Sequence, residues 1–471
     1  MNKKTFHMVS LGCAKNSVDS DSMAQLLEQD GYRAVGAPQQ ASILVVNTCG
    51  FIGSARDESY VELARLAAEK RPGQLLIAAG CLTQRYGLEV ARRVPGVDGI
   101  LGTRHWMDIV QVVRSLRKGA APSPLYHLPE PAGPGAGANE PETVLRASIA
   151  EASAYLKIAD GCRRPCAFCA IPLIKGSAVS RPPEAILREA RRLHELGVRE
   201  LVLIAQDTTD YGHDLGMKDG LASLLEQITG AVPELDWIRI MYAFPGYVTD
   251  RLIEVMATHP QILPYLDIPL QHAHPDTLTR MRRPANVDWV RATIAKMRRA
   301  MPGLAIRTTF IVGYPGETEQ EFQTLLDFVE EMRFDHAGAF RFSFEPGTAS
   351  ETLGDPVPAA VKEERYGRLM ELQQGISLQV NQAHVGERLD VLVEGYDNGI
   401  TFARSYREAP ETIDGMVLAE GEAEIGTIVP VKITGALAYD LTGVVISPFR
   451  RNGPRNNQRK SAIPTSAAGS V

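Results

Sequence analysis

Six cysteines are the residues of this chain best suited to chemistry, and their spacing divides them into two sets of three. Cys162, Cys166 and Cys169 form a C-x3-C-x2-C run within YLKIADGCRRPCAFCAIP. Three thiolates this close on one loop can hold three irons of a cubane cluster and leave the fourth iron without a protein ligand. An open iron suits catalysis, because a substrate or cofactor can chelate it. Structural zinc is the alternative, but it normally takes four protein ligands, and the loop offers no fourth Cys or His. Cys13, Cys49 and Cys81, 36 and 32 residues apart, make the other set. Each directly follows an apolar run of strand length: HMVSLG, SILVVNT and QLLIAAG. One strand–helix–strand step separates neighbours, which puts three thiols just past the carboxyl ends of parallel strands, where open α/β sheets bind ligands. Three converging thiolates suit a soft iron–sulfur cluster. For any one of them, the plainer alternative is a buried cysteine acting as a small apolar side chain.

The elements that must position these thiols follow from periodicity. Residues 1–128 alternate strand runs with helical stretches such as Ser20–Asp30 and Arg56–Lys70, apolar at i, i+3 and i+4. That alternation predicts an α/β region with a doubly wound parallel sheet. Residues 129–141, PEPAGPGAGANEP, are Pro/Gly/Ala-rich and aperiodic and are expected to form a linker. Residues 142–377 contain the strand runs AYLKIA, ELVLIAQ, WIRIMYAF, YLDIP, AIRTTFIVG and GAFRFSF. Helical segments lie between them near Pro183–Leu196, Leu221–Thr229, Val248–His259, Val287–Met301 and Glu319–Met332, and residues 360–380 are helical. Six strand–helix units predict a partial (βα) barrel with its chemistry at the carboxyl ends of the strands. Residues 378–447 change to short β-rich runs, VLVEG, ITFARS, IVPVKITG and ALAYDLTGVVIS, which predict a small antiparallel β-barrel. Residues 448–471 are basic and aperiodic and are expected to be disordered.

Composition narrows the classes. The 471 residues are 44% hydrophobic and 23% charged, an ordinary globular balance that excludes wholesale disorder. No run of about 18 apolar residues exists to cross a membrane. The start, MNKKTFHMVSLG, has no long apolar segment or cleavage site, so a cytoplasmic protein is expected. A net charge of −6 argues against nucleic-acid binding by the surface as a whole.

The C-x3-C-x2-C loop at the head of a six-unit barrel, with Phe168 before its last cysteine, resembles the radical S-adenosylmethionine (SAM) superfamily. The resemblance implies that the open iron binds SAM and that one electron cleaves it to a 5′-deoxyadenosyl radical. TTFIVGYPGET (Thr308–Thr318) looks like the superfamily's SAM loop, with Thr309, Gly313, Pro315 and Gly316 as cofactor contacts. With the N-terminal cysteines and the C-terminal TRAM-like barrel, about residues 5–447 resemble the radical-SAM methylthiotransferases, at SLGCAKNSVDS, VVNTCGFI, AAGCLTQRY and ADGCRRPCAFCAIP. In that family Cys13, Cys49 and Cys81 would bind a second, auxiliary 4Fe–4S cluster carrying the sulfur. One SAM would donate methyl, and another would supply the radical that activates the substrate carbon.

AQDTTDYG (Ala205–Gly212), YLDIPLQHAHPDTLTRMRRP (Tyr265–Pro284), FSFEPGTAS (Phe342–Ser350) and RSYREAPETIDGMV (Arg404–Val417) match the branch that modifies the β-carbon of an aspartate in small-subunit ribosomal protein S-twelve. Gln206 and Asp207 could meet SAM or substrate there; strand-end capping is the plainer role. Departures from the family pattern are His274 in place of a small residue, Ala403 in place of glycine, and an extra residue in APETIDG. Charge supports the same branch. Residues 380–447 hold the bases Arg388, Arg404, Arg407 and Lys432 against the acids Glu387, Asp390, Glu394, Asp397, Glu408, Glu411, Asp414, Glu420, Glu422, Glu424 and Asp440. Such a barrel would repel tRNA and attract a basic protein. The β-carbon has no leaving group and little acidity, so the cofactor carries the chemistry and no general-base dyad is expected. Asp160 and His272 are then positioning groups. A flavodoxin-type electron donor is the expected partner. The competing readings are tRNA adenosine methylthiotransfer and a non-catalytic, zinc-dependent RNA-binding protein.

Overall fold

The computed structural model describes residues 4–119, 124–128, 141, 143–410 and 414–446. All of the expected linker except Pro141, and the whole basic tail at 448–471, lie outside the described residues. So do residues 411–413 of the APETIDG segment.

The chain opens with β1 (Thr5–Ser10), α1 (Ala14–Gln29), β2 (Arg33–Ala34), β3 (Ile43–Thr48), α2 (Gly53–Glu69), β4 (Leu75–Gly80), α3 (Cys81–Arg93), β5 (Gly99–Gly102), α4 (Ile109–Arg117) and β6 (Leu125–His127). The six strands are all parallel, in the order β2-β1-β3-β4-β5-β6. Every residue of β3 is buried, as a central parallel strand covered on both faces requires. Helix α1 starts six residues before its predicted start at Ser20, because its polar first turn faces the cysteine loops rather than an apolar core.

The second unit comprises β7 (Ala147–Ala150), β8 (Ser153–Lys157), β9 (Ala159–Asp160), α5 (Ile171–Lys175), β10 (Val179–Ser180), α6 (Pro183–Glu195), β11 (Glu200–Ile204), α7 (Gly220–Ala231), β12 (Trp237–Ile240), α8 (Asp250–Thr258), β13 (Ile262–Asp267), α9 (Pro275–Arg280), α10 (Val287–Ala300), β14 (Ala305–Val312), α11 (Glu319–Met332) and β15 (His336–Arg341). Strands β9 and β10 pair only with each other, antiparallel, and the rest of the strands form a second sheet. Six strands run parallel in the order β15-β14-β13-β12-β11-β8, and β7 adds an antiparallel edge. The strand predicted as WIRIMYAF ends at Ile240, and Tyr242 beyond it takes a positive φ of 62°. Helix α11 begins at a capping box: Thr318 accepts from the Glu321 N–H, and the Glu321 carboxylate accepts from the Thr318 N–H.

Helix α12 (Ala359–Ala383) leads to a closed barrel of β16 (Arg388–Asp397), β17 (Ile400–Arg404), β18 (Val417–Glu420), β19 (Ile428–Ala436) and β20 (Leu441–Val445). The barrel is antiparallel except where β18 and β20 run parallel. ALAYDLTGVVIS is not one strand: the chain turns at Leu437–Asp440 between β19 and β20.

Both faces of the second sheet are covered. Helices α6–α8 and α10–α12 pack on one, against Leu156, Leu201, Leu203, Ile238 and Ile306. The other is filled from both ends of the chain: Tyr155, Val202, Ile204, Trp237, Leu263 and Tyr265 meet Ala14 and Val18 of α1 and Leu392 and Ala409 of the barrel region. Buried charges lock this junction. Glu200 accepts from Arg239 at 2.8 Å and from Arg404 at 2.7 Å, and Tyr265 donates to Asp414 at 2.6 Å.

Candidate functional site

All six cysteines are free thiols. Cys13 immediately precedes α1, Cys49 follows β3, and Cys81 is the first residue of α3. Gly12 has φ +93°, and a Cβ on it would lie 2.9 Å from the Cys49 Cβ. Glycine is what lets these two thiol-bearing loops run side by side. Asn16 laces the set together: its Nδ2 donates to Leu11 O at 2.8 Å and to Thr48 O at 3.2 Å, and the Cys81 thiol lies 3.6 Å from its Oδ1. Ser59 fixes Cys49 through two backbone hydrogen bonds of 3.0 Å each. Burial pushes the Cys49 thiol up to about 11, with the Cys13 charge adding to the rise. Cys81 is pushed higher, chiefly by burial and further by Cys49 and Cys13, although Lys175 opposes the shift. Metal-free, these groups are neutral; a bound cation is what would hold them as thiolates.

The second set sits on the loop between β9 and α5, at the carboxyl end of the second sheet. The Arg164 N–H points at Cys162 Sγ (3.4 Å), the Ile171 N–H at Cys169 Sγ (3.5 Å), and Arg283 Nη1 at Cys166 Sγ (3.6 Å). Burial pushes Cys162 up to about 11 and Cys169 up to about 12, and neighbouring thiols raise both. Ala167 pins the loop, donating to Met281 O at 2.9 Å and accepting from the N–H and Oγ of Ser350 at 2.8 Å each. Phe168 packs against Met281, Ile311, Tyr314 and Phe342. The two sets meet where Cys81 packs on Ala170 and Ile174, just beyond Cys169.

Between them lies a buried charge network that the sequence did not disclose. Lys175 Nζ donates to Asp19 at 2.8 Å and to Asp160 at 3.2 Å, Lys157 lies 3.3 Å from Asp160, and Arg146 donates to Asp19 at 2.8 Å. Burial opposes the charge on Asp19, but Lys157, Lys175 and Arg146 outweigh it and hold the carboxyl far below its ordinary range. Three cations against two carboxylates leave positive charge close to Cys81. A further missed contact joins the two sets. Glu345 is clasped by Arg56 and by Arg85 (2.7 Å), and Arg85 also donates to Gly50 O beside Cys49 and to Pro346 O. Ser350, five residues on, is the residue that pins Ala167.

Among the other residues singled out from the sequence, Gln206 donates to Asp160 at 3.0 Å while its Oε1 is buried with no hydrogen-bond partner among the described residues. The Asp207 carboxylate is engaged by Arg164 at 2.6 Å and by Thr209. Thr309 is half-buried on β14, with its carbonyl accepting from the Gln271 N–H at 2.8 Å. Gly313 has φ +70°, and a Cβ there would meet Lys362 at 2.4 Å; Pro315 is buried, and Gly316 turns beside Arg280. This turn is held by Glu317, whose carboxylate accepts from the Tyr314 N–H at 3.0 Å, with His272 Nε2 3.6 Å away. His272 Nδ1 accepts from the His274 N–H, and its Nε2 is buried with no hydrogen-bond partner among the described residues. The turn shares the carboxyl edge of the sheet with the cysteine loop, joined to it by Tyr314 against Phe168.

Residues 156–329 match the Radical SAM superfamily, residues 5–102 the Uncharacterized protein family UPF0004, and residues 385–446 the TRAM domain. A protein of Roseiflexus sp. (strain RS-1) named ribosomal protein uS12 methylthiotransferase RimO is 48% identical, over 94% of this chain and 97% of its own. The Chloroflexus aurantiacus protein of the same name is 49% identical, over 94% of this chain and all of its own. Among solved structures, the radical S-adenosylmethionine methyltransferase TsrM from Kitasatospora setae shares the fold, with a TM-score of 0.52 at 13% identity, covering 85% of this chain and 80% of that one.

Proposed function

The chain belongs to the ribosomal protein uS12 methylthiotransferase family, and on that footing we propose that it adds a methylthio group to the β-carbon of an aspartate in uS12, using two 4Fe–4S clusters and SAM. The observation that carries this reading is the meeting of two separate three-thiol sets at Cys81, Ala170 and Ile174. Radical methylthio transfer needs a sulfur carrier within reach of a radical source. When bound, the clusters and SAM supply the electron, the methyl group, the sulfur and the hydrogen-abstracting radical.

The residues present fit those groups. Each cysteine set offers three soft donors, and N–H groups are already directed at the sulfurs of the second. Cys162, Cys166 and Cys169 would hold one cluster with an open iron, and Cys13, Cys49 and Cys81 the auxiliary one. The unsatisfied Gln206 Oε1 and His272 Nε2 are polar atoms that await a ligand at the same sheet edge. Gln206, Thr309, Gly313, Pro315 and Gly316 are the proposed SAM contacts. Asp207 acts by holding Arg164 in the loop, and Asp160 by orienting Gln206.

The barrel's surface favours a basic protein over RNA. Arg404 and Arg407 are buried in ion pairs, which leaves Arg388 and Lys432 as its exposed bases. Glu387, Asp390, Asp397, Glu420, Glu422 and Glu424 are exposed. Among the described residues, no helix is long and apolar enough to cross a membrane. With uS12 as its substrate the protein would act in the cytoplasm, and a flavodoxin-type donor would supply electrons.

The test is mass spectrometry after anaerobic reconstitution, reduction and reaction with SAM, with uS12 and bulk tRNA offered in parallel. A methylthio gain on a uS12 aspartate is the expected result. A gain on tRNA adenosine alone would transfer the activity to the other branch.

A further inference from the structure

We propose that His105, Asp108 and His127 form a binding site for one divalent transition-metal ion of the zinc class, separate from both cysteine sets. His105 and Asp108 lie in the 3-10 turn Thr103–Asp108 that follows β5, and His127 ends β6. Because β5 and β6 are parallel neighbours, all three residues belong to the same end of the first sheet. The Asp108 Oδ2 is 3.0 Å from His105 Nδ1 and 2.8 Å from His127 Nε2, and the three atoms lie within 4.8 Å of one another. Around a tetrahedral zinc with bonds of about 2.0–2.1 Å, donor atoms sit roughly 3.3 Å apart. The two contacts to Asp108 need to lengthen by only a few tenths of an ångström to admit the ion, and the two imidazole nitrogens already lie within 4.8 Å of each other. Two imidazoles and one carboxylate are an established zinc donor set that leaves a fourth position for water.

A second observation is that Asp108 stands at the N-cap of α4 yet makes no capping hydrogen bond. Its carboxylate is instead directed at the two imidazoles, at the junction where the 3-10 turn runs into α4. The rings meet edge to face at 5.4 Å and 68°, so their nitrogens converge without stacking. Side-chain exposures of 40%, 31% and 27% leave the group open to an ion arriving from solvent. The other compact grouping, His274, Asp276 and Glu321, lacks this freedom. There His274 Nδ1 accepts from the Asp276 N–H, and Glu321 is engaged by Arg280 and the Thr318 N–H. Binding at the first group requires the imidazole protons to sit on His105 Nε2 and His127 Nδ1, with no other covalent change. The ion would pin the short edge strand β6 to a turn whose Arg104 donates to Ile174 O at 3.0 Å, so occupancy stiffens the support of α5.

The test is equilibrium dialysis of the cluster-loaded, full-length protein against Zn2+, with zinc and iron measured together by mass spectrometry. One zinc per chain beyond the iron is expected. His127→Ala and the isosteric Asp108→Asn should each lower zinc affinity by about tenfold or more, with iron content and circular dichroism unchanged. Zinc uptake that survives both substitutions, or none below about 1 mM Zn2+, would overturn the site. Neither result depends on methylthio transfer.

Discussion

The thiols of each set act as a unit, so removing one should empty that set and spare the other. Cys81→Ala is expected to lower iron from roughly eight to roughly four atoms per reconstituted chain. Cleavage of SAM to 5′-deoxyadenosine should continue while methylthio transfer is lost; iron analysis and product chromatography check this. If SAM cleavage vanished as well, the two sets would not be separable. Asn16→Ala should mimic this result in part, because one side chain ties the loops of Cys13, Cys49 and Cys81. The cysteines were legible in the sequence, since their residue type and their place after apolar runs are both local signals. Asn16, Lys175 and Glu345 were not. Asn16 and Glu345 fall inside runs that resemble the family, SLGCAKNSVDS and FSFEPGTAS, but a run does not say which residue bridges the loops, and Lys175 meets Asp19 from 156 residues away.

The joints between elements carry their own expectations. Glu345 is gripped by Arg85 and Arg56 on α3 and α2, while its loop pins Ala167 between Cys166 and Cys169. Glu345→Gln keeps the shape and removes the charge. It should raise the ratio of 5′-deoxyadenosine to methylthio product while both iron sites stay filled. An unchanged ratio would make the contact merely structural. At the other end, Arg404 and Arg239 hold Glu200 down to about 2 against the cost of its burial, from an ordinary 4.5. A depressed acid stabilises the fold above its unfolded pKa, and that stability is lost as pH falls from about 4.5 towards 2. The depression corresponds to about 3 kcal/mol. Glu200→Gln should flatten this part of the acid-unfolding curve, but it also leaves two buried arginines short of a partner. A loss of about 3–5 kcal/mol at neutral pH, read by chemical denaturation, is expected. Periodicity found the helices well, as Glu319–Met332 shows. Within the β-rich run ALAYDLTGVVIS it did not mark the turn that separates β19 from β20, and it passed over Val417–Glu420, because short β runs carry few residues and a turn without Gly or Pro leaves no mark.

For the molecule as a whole, the predominantly acidic surface of the C-terminal barrel should speed encounter with a basic partner and be screened by salt. The double variant Glu422→Lys/Glu424→Lys is expected to slow uS12 association several-fold at low ionic strength and to leave SAM cleavage intact; stopped-flow binding across a salt series checks it. Strand–helix alternation in the sequence pointed to two parallel-sheet units. It could not show that the units share one interior, because Ala14, Val18 and Leu392 are unremarkable apolar residues until they meet on the same sheet face.

That shared interior has a consequence for synthesis. Asp19 is buried and ionised only because Arg146, Lys157 and Lys175 surround it. At ~5–20 residues per second, a ribosome adds Lys175 roughly 8–30 s after Asp19. For most of that interval the nascent chain carries Cys81 without the Lys175 charge that completes its surroundings. Cys81, the member of the first set that feels Lys175, is thus made well before that charge exists, and its electrostatic surroundings are completed only when the second sheet has emerged.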